Sequence, residues 1–384
     1  MSSSGTSRYR VIMQTMPEIR PDFVQSGRTL AAMSGGVDSA VAAAAAVRSG
    51  VDAVGVTMRL WSAGDGDLSE KSRQCCGPTA FDDARRAASA IGIPHYVLNF
   101  ESAFQRAVVD YFCAEYLAGR TPNPCIACNN MVKFGALLDF ARALGAESIV
   151  TGHYARVRHG PDGPHLYRAA NTTKDQSYML AGLRPDQLSA LTLPLGEHTK
   201  EETRSLARSY RLDIAEKPDS MDLCFVDGDY RGFIARRYPE SAAHGPMLSL
   251  DGLEVGRHDG LVNYTVGQRK GLAVSGLGDG PWFVVRTDRE RNAVVVGRRE
   301  DLAKTVVDCT DANVIRPERF GDGRARGRAV CRYRSKAIPA TAELTATGGL
   351  RVHLDEPVPM VSPGQSLVLY DDADVEVLAS GVIS

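Results

Sequence analysis

The sequence predicts a mainly parallel, doubly wound α/β sheet in its first half and a small β-barrel towards its end. Three observations carry this. Strand-like and helix-like segments alternate as far as Thr151, a short mixed pattern runs from Asp229 to Gly260, and β signals dominate from Leu261 onward. In order, the strand candidates are Arg28 to Met33, Asp52 to Met58, His95 to Phe100 and Ser148 to Thr151. Helical patterns at Ala40 to Arg48, Thr79 to Ile91, Ser102 to Leu117 and Asn130 to Leu144 separate them. Such alternation makes a parallel sheet with helices on both faces. Ligands in these folds sit beyond the carboxyl ends of the strands, where the glycine turn after the first strand and Gly152-His153 after the last both fall. Farther on, WFVVRT and AVVVG flank the polar turn Asp288 to Asn292. With Arg328 to Arg334, Ala342 to Leu344, Leu350 to Leu354 and Gln365 to Tyr370, they read as short barrel strands.

Of 384 residues, 43% are hydrophobic and 24% charged, which suits a soluble globular protein of two or three domains. No apolar run approaches the roughly 18 residues that cross a bilayer. The first 26 residues lack an apolar core followed by a small-residue cleavage site and read as a flexible extension, so a cytoplasmic protein is expected. A net charge of −1 gives no bulk sign of nucleic acid. Locally, Arg316 to Lys336 holds seven arginines and one lysine against Glu318 and Asp322. That run can neutralise phosphates, or be a solvated arginine-rich loop. Eight cysteines without a secretory signal point to buried, metal-binding or catalytic thiols rather than a disulfide framework. Cys113, Cys309 and Cys331 read as packing residues, and the vicinal Cys75-Cys76 pair is left open.

Ala32, Met33, Ser34, Gly35, Gly36, Val37, Asp38 and Ser39 close the first strand and open an alanine-rich helix. Two glycines let the backbone approach an anion, and the helix start offers unpaired N–H groups and the positive end of a dipole. Ser34 and Ser39 add hydroxyl donors, and Asp38 can hold Mg²⁺ against phosphates from an exposed loop. The segment lacks GxxxxGK[ST] and so is not a P-loop of the kinase type. Its expected ligand is ATP with Mg²⁺.

Two cysteine segments stand out. In GRTPNPCIACN, from Gly119 to Asn129, two prolines and two asparagines set an irregular loop before a helix. Cys128 is expected close to that helix start, where the dipole favours thiolate. The second is KPDSMDLCF, from Lys217 to Phe225, which carries Cys224.

SGGVDS, GRTPNPCIACN, VTGHYA (150–155), KDQSYML (174–180), KPDSMDLCF, TVGQRKGL (265–272) and SPGQS (362–366) occur in this order. From about Arg28 to the C-terminus the chain resembles the bacterial tRNA-specific 2-thiouridylase family. The resemblance implies an ATP-pyrophosphatase-type α/β domain (27–228), a small central domain (229–300) and a C-terminal β-barrel (301–384). It implies thiolation of C2 of the wobble uridine in glutamate, glutamine and lysine tRNAs, with sulfur from a desulfurase-fed relay. Cys224 would carry the persulfide and Cys128 would attack it, leaving a 128–224 disulfide. Residues 32–39, Met58 and Gly152 would contact ATP. Asn123, Pro124 and Cys125 would face the target base, which must leave its stack. His153, Lys174, Asp175, Gln176, Arg332, Tyr333 and Gln365 would contact tRNA.

The chain departs from the family at Cys125, where an aspartate is usual. The substitution creates Cys-x-x-Cys, so two accounts fit the spacing. Either Cys125 replaces the aspartate, or Cys125, Cys128 and Cys224 hold a [4Fe–4S] cluster. Two other functional classes compete: a synthetase that adenylates a small carboxylate, and a tRNA-binding protein for which ATP is structural.

Overall fold

The computed structural model describes residues 27–61, 78–218, 223–226, 228–275 and 280–384. Cys75, Cys76, the first 26 residues and part of KPDSMDLCF lie outside them.

The first part alternates β1 (Arg28–Ala32), α1 (Val37–Arg48), β2 (Ala53–Arg59), α2 (Pro78–Ile91) and β3 (His95–Asn99). A helical run follows: α3 (Glu101–Phe104), a wide-turned π segment Gln105–Asp110, and α4 (Tyr111–Leu117). A second run comprises α5 (Pro124–Ala127), the π segment Cys128–Ala136 and α6 (Leu137–Ala143). Then come β4 (Ala146–Val150), the hairpin β5 (Ala155–Gly160) and β6 (Gly163–Arg168), α7 (Ser177–Leu180), α8 (Pro185–Ser189), β7 (Leu191–Thr192) and α9 (Lys200–Ser209).

The sheet order is β3-β2-β1-β4-β7, and each of its pairings is parallel. Alternate residues of β1 feed the two faces, as a period of two requires. Leu30 packs with Phe134, Leu137 and Leu138 on one side, and Ala31 with the alanines of α1 on the other. The small side chains of α1 let it lie close between the sheet, α2 and α9. The expected doubly wound sheet is present, with β1 and β4 side by side at its centre. The loops beyond their carboxyl ends therefore face one another.

The middle of the chain forms α10 (Tyr230–Arg237), β8 (Gly245–Leu248), β9 (Glu254–His258), β10 (Phe283–Asp288) and β11 (Ala293–Gly297). The four strands make one sheet in the order β10-β11-β8-β9, and the two strands around Asp288 to Asn292 pair as an antiparallel hairpin.

Six strands close the barrel: β12 (Lys304–Val314), β13 (Arg324–Val330), β14 (Ile338–Leu344), β15 (Leu350–Val358), β16 (Ser366–Tyr370) and β17 (Val377–Ile383). Their order is β12-β15-β14-β13-β16-β17. The strand expected at Arg328 to Arg334 instead ends at Val330, and Arg334 takes a left-handed turn conformation at φ 61°. The barrel is tied to the α/β part by polar contacts. Asn313 Nδ2 donates to the Ala181 and Leu183 carbonyls at 2.8 Å each, and Tyr178 Oη donates to the Ser366 carbonyl at 2.6 Å.

Candidate active site

The phosphate-type loop has the conformation its glycines allow. Gly35 sits at φ +71°, and a Cβ there would lie 2.2 Å from the Ala80 carbonyl oxygen, so a side chain is excluded. Gly36 is the N-cap of α1 and offers no side-chain cap, which leaves the first-turn N–H groups for an anion. Ser39 Oγ accepts from the Ser34 backbone N–H at 3.1 Å and donates to the Gly36 carbonyl at 3.0 Å, closing the loop on itself. Gly152, beyond β4, is pressed against the same loop: its Cβ would meet the Asp38 carbonyl carbon at 2.5 Å.

Asp38 corrects one expectation. It is not a free carboxylate on an exposed loop. Lys200 Nζ at the start of α9 reaches both of its oxygens, at 2.7 and 2.8 Å, and Tyr154 Oη donates to it at 2.8 Å. A metal ion at Asp38 would have to share or displace the Lys200 contact.

These groups open onto a cavity of about 320 Å³. One wall is the nucleotide set itself: Ala32, Met33, Ser34, Asp38, Ser39 and Gly152. An apolar slot beside it, formed by Val56, Met58, Leu60, Phe104 and Val108, suits a flat heterocycle. Pro124, Cys125, Cys128, Leu223 and Cys224 line the same cavity, with Cys128, Leu223 and Cys224 packed in one cluster with Leu60, Phe104 and Val108. Thr151, His153, Gln176 and Lys133 complete the lining. Two cysteine motifs nearly a hundred residues apart in sequence thus line one space.

Local structure accounts for the cysteine placement. Asn123 Oδ1 accepts from the Cys125 and Ile126 backbone N–H groups at 3.2 and 3.3 Å, so Asn123 caps α5. Pro124 takes the first helical position, which its missing N–H permits. Cys125 follows at the exposed second position. Cys128 lies one turn further in, buried, where the helix continues with widened turns. Cys128 is thus one turn inside the helix rather than at its first positions, and the positive end of the helix lies nearer Cys125. Cys125 is exposed and Cys224 half-buried, and among the described residues no three Cys, His, Asp or Glu side chains converge as a metal site requires.

The packing cysteines behave differently. Burial pushes the Cys113 thiol up to about 11 and those of Cys309 and Cys331 up to about 12. Below those values they stay protonated and unreactive. Iodoacetamide at pH 8 should therefore modify Cys125 first and leave these three until the protein unfolds. Peptide mass spectrometry checks this, and early labelling of Cys309 or Cys331 would contradict it.

The expected tRNA contacts divide. His153 lines the cavity, with its ring on Phe134 and Nδ1 hydrogen-bonded to Thr151 Oγ1 at 2.8 Å. Burial and the nearby Lys133 ammonium pull its pKa down to about 3, so the imidazole is neutral at physiological pH. Gln176 also lines the cavity, and its Oε1 accepts from the Tyr154 backbone N–H at 2.9 Å. Lys174 is half-buried and does not line the cavity. Asp175 is buried, ion-paired with Arg168 at 2.8 Å, and accepts from the Ala169 and Ser177 backbone N–H groups. Its carboxylate braces the turn.

Gln365 is likewise turned inward. Its Nε2 donates to the Thr121 carbonyl at 2.7 Å, tying the barrel to the loop before Cys125. Tyr333 Oη donates to the Asp175 carbonyl at 3.2 Å, while Arg332 is exposed. Part of the arginine run is ion-paired: Arg324 pairs with Glu343, Arg326 with Asp355, Lys336 with Glu356, and Arg316 with Asp162, Glu318 and Glu376. Sequence reasoning missed Lys200, Tyr154 and Lys133. Only Lys200 had a local signal, since Thr199 and Glu202 form the capping box that starts its helix.

Three family models cover most of the chain: a tRNA methyl transferase HUP domain (27–228), a tRNA methyl transferase PRC-barrel domain (231–298) and an aminomethyltransferase beta-barrel domain (309–383). Curated relatives carry a different activity in their names. The tRNA-specific 2-thiouridylase MnmA of Moorella thermoacetica is 47% identical over 89% of this chain and 95% of its own length. Those of Carboxydothermus hydrogenoformans and Methylorubrum populi are 44% and 45% identical, over 94% and 93% of this chain and 99% and 93% of theirs. Similarity at that level along nearly whole chains outweighs the wording of the domain descriptions. The chain belongs to the tRNA-specific 2-thiouridylase family.

Proposed function

We propose that this chain uses ATP to replace the C2 oxygen of the wobble uridine of tRNA with sulfur. One observation carries the reading: a single cavity joins the phosphate-type loop to Cys125, Cys128 and Cys224. A synthetase for small carboxylates has no use for two thiols there, and a passive tRNA binder has no use for the loop.

The uracil C2 oxygen is a poor leaving group, so it is first adenylated. O2 bonds to the α-phosphorus, pyrophosphate leaves with the bridging bond pair, and N3 gives its proton to water. A persulfide on Cys224 then attacks C2 with its terminal sulfur, the C2=N3 pair moves to N3, and N3 takes up a proton from the persulfide or from water. Cys128 thiolate attacks the Cys224 sulfur, the S–S pair passes to the transferred sulfur, and AMP departs as C2=S forms. The persulfide sulfur is reduced while Cys128 and Cys224 are oxidised to a disulfide, which an external dithiol reopens.

Within this proposal residues 27–228 perform the chemistry, 229–300 adapt to tRNA, 301–384 form the barrel that docks it, and 1–26 are an extension. Glutamate, glutamine and lysine tRNAs are the substrates, Arg332 and Tyr333 contact them, and a cysteine desulfurase relay in the cytoplasm supplies sulfur. Among the described residues no helix is long and apolar enough to cross a membrane. Mg²⁺ accompanies ATP, with Asp38 as the carboxylate of the cavity. The alternative, a sulfide-carrying [4Fe–4S] cluster on Cys125, Cys128 and Cys224, has the shared cavity in its favour but against it that, among the described residues, no three such side chains converge as a metal site requires.

Mass spectrometry of tRNA nucleosides after incubation with ATP and a desulfurase relay tests the function. Appearance of 2-thiouridine with matching AMP is expected, and its absence overturns the reading. Activity in iron-free protein, retained in Cys125→Asp, supports the persulfide route. About four irons per chain, with activity lost on chelation, favours the cluster.

A further inference from the structure

Lys133 has no part in the chemistry described so far, yet its position is specific. Among the described residues it is the cavity's one cationic lining side chain, and Asp38, the one anionic, is already countered by Lys200. It lies five residues after Cys128 in the segment Cys128–Ala136, whose π-type turns place residues i and i+5 nearly above one another. In a regular α-helix the same two residues would diverge by well over a quarter turn. The widened helix thus sets the Lys133 ammonium on the Cys128 face. On its other side Lys133 lies close enough to His153 to lower that ring's pKa, and His153 adjoins Gly152, the residue packed on the Asp38 backbone. Lys133 thus lines the one cavity that the phosphate-type loop and the cysteines share, where an α-phosphate and a uracil C2 would have to meet.

We infer that Lys133 is a catalytic residue that holds the α-phosphoryl group through both half-reactions. In the first, negative charge grows on the non-bridging oxygens as O2 attacks the α-phosphorus and pyrophosphate leaves. In the second, the C2–O2 bond breaks and AMP departs with the pair, again beside the ammonium. A fixed cation in a cavity with an apolar slot stabilises such charge far better than water does. The neutral His153 adds no competing positive charge. This rests on the adenylation reading above.

The test compares Lys133→Met and Lys133→Arg with wild type, following tRNA-dependent pyrophosphate release in single turnover. Lys133→Met should bind ATP and tRNA within about tenfold of wild type, showing a folded site. It should release pyrophosphate about 10²–10³-fold more slowly, as when one oxyanion-stabilising group is removed. Lys133→Arg keeps the charge and should recover part of that rate. Wild-type pyrophosphate release by Lys133→Met overturns the proposal. So does intact pyrophosphate release with lost thiolation and slowed alkylation of Cys128, which would place the ammonium on the thiol instead. If wild-type protein itself releases no pyrophosphate with tRNA, the adenylation reading fails independently of any variant.

Discussion

Cys128→Ser and Cys224→Ser should each eliminate 2-thiouridine when sulfur arrives as persulfide, a loss of at least ~10³-fold by analogy with removing a nucleophile. The two thiols share one cavity, and a serine hydroxyl cannot take the place of either in sulfur exchange. The variants should differ in a second assay. With free sulfide as donor, Cys224→Ser should recover turnover, because only the carrier is bypassed. Pyrophosphate release should persist in both, since adenylation precedes sulfur transfer. Cys309→Ser and Cys331→Ser are the controls. Both thiols are buried in the barrel, and burial raises their pKa values to about 12, so a small loss of stability with full thiolation is expected. Nucleoside mass spectrometry with both donors reads all four variants. Equal damage from Cys309→Ser would undo the division between reacting and packing thiols.

The parts of this site that were legible in sequence are those set by backbone needs. Gly35 and Gly152 are glycines because a Cβ would enter neighbouring backbone, and such constraints sit in contiguous motifs. The parallel sheet was legible because hydrophobic periodicity is local. Long-range partners were not. Lys200 is 162 residues from Asp38, and nothing near either residue announces the pair. The ion pairs within the arginine run of the barrel were hidden because the acidic partners lie far off in sequence, such as Glu343 opposite Arg324. Motif membership does not reveal local structural roles: the side chains of Asp175, Asn123 and Gln365 brace a turn, cap a helix and tie the barrel to the cysteine loop. The strand β12 was missed because KTVVDCTDANV alternates only briefly, with exposed Asp308 between buried Val307 and Cys309 and no clear alternation on either side.

Asp38→Asn should lose pyrophosphate release by about 10³-fold, and it should also cost stability, which an exposed loop residue would not. The Lys200 side chain is 9% exposed and that of Asp38 30%, so the pair is largely enclosed. Breaking a buried pair by removing one partner costs ~3–5 kcal/mol, because the other charge is left unpaired. Partial solvent access to Asp38 lowers the expectation to about 2 kcal/mol for either Asp38→Asn or Lys200→Met. In a domain of this size that corresponds to a fall of roughly 4–8 °C in Tm. Tyr154 Oη also bonds both Asp38 and Thr203, so the amide introduced by Asp38→Asn retains one neutral partner while the Lys200 ammonium loses both its charged contacts. The double variant Asp38→Asn with Lys200→Met removes both charges together. It should therefore be more stable than the sum of the single losses allows, by about 1 kcal/mol or more. Denaturant titration of the four proteins measures this coupling. Additivity within about 0.5 kcal/mol would show that the pair adds nothing to the fold. Lys200 would then stand at Asp38 only to meet phosphate, and Lys200→Met would weaken ATP binding without lowering Tm.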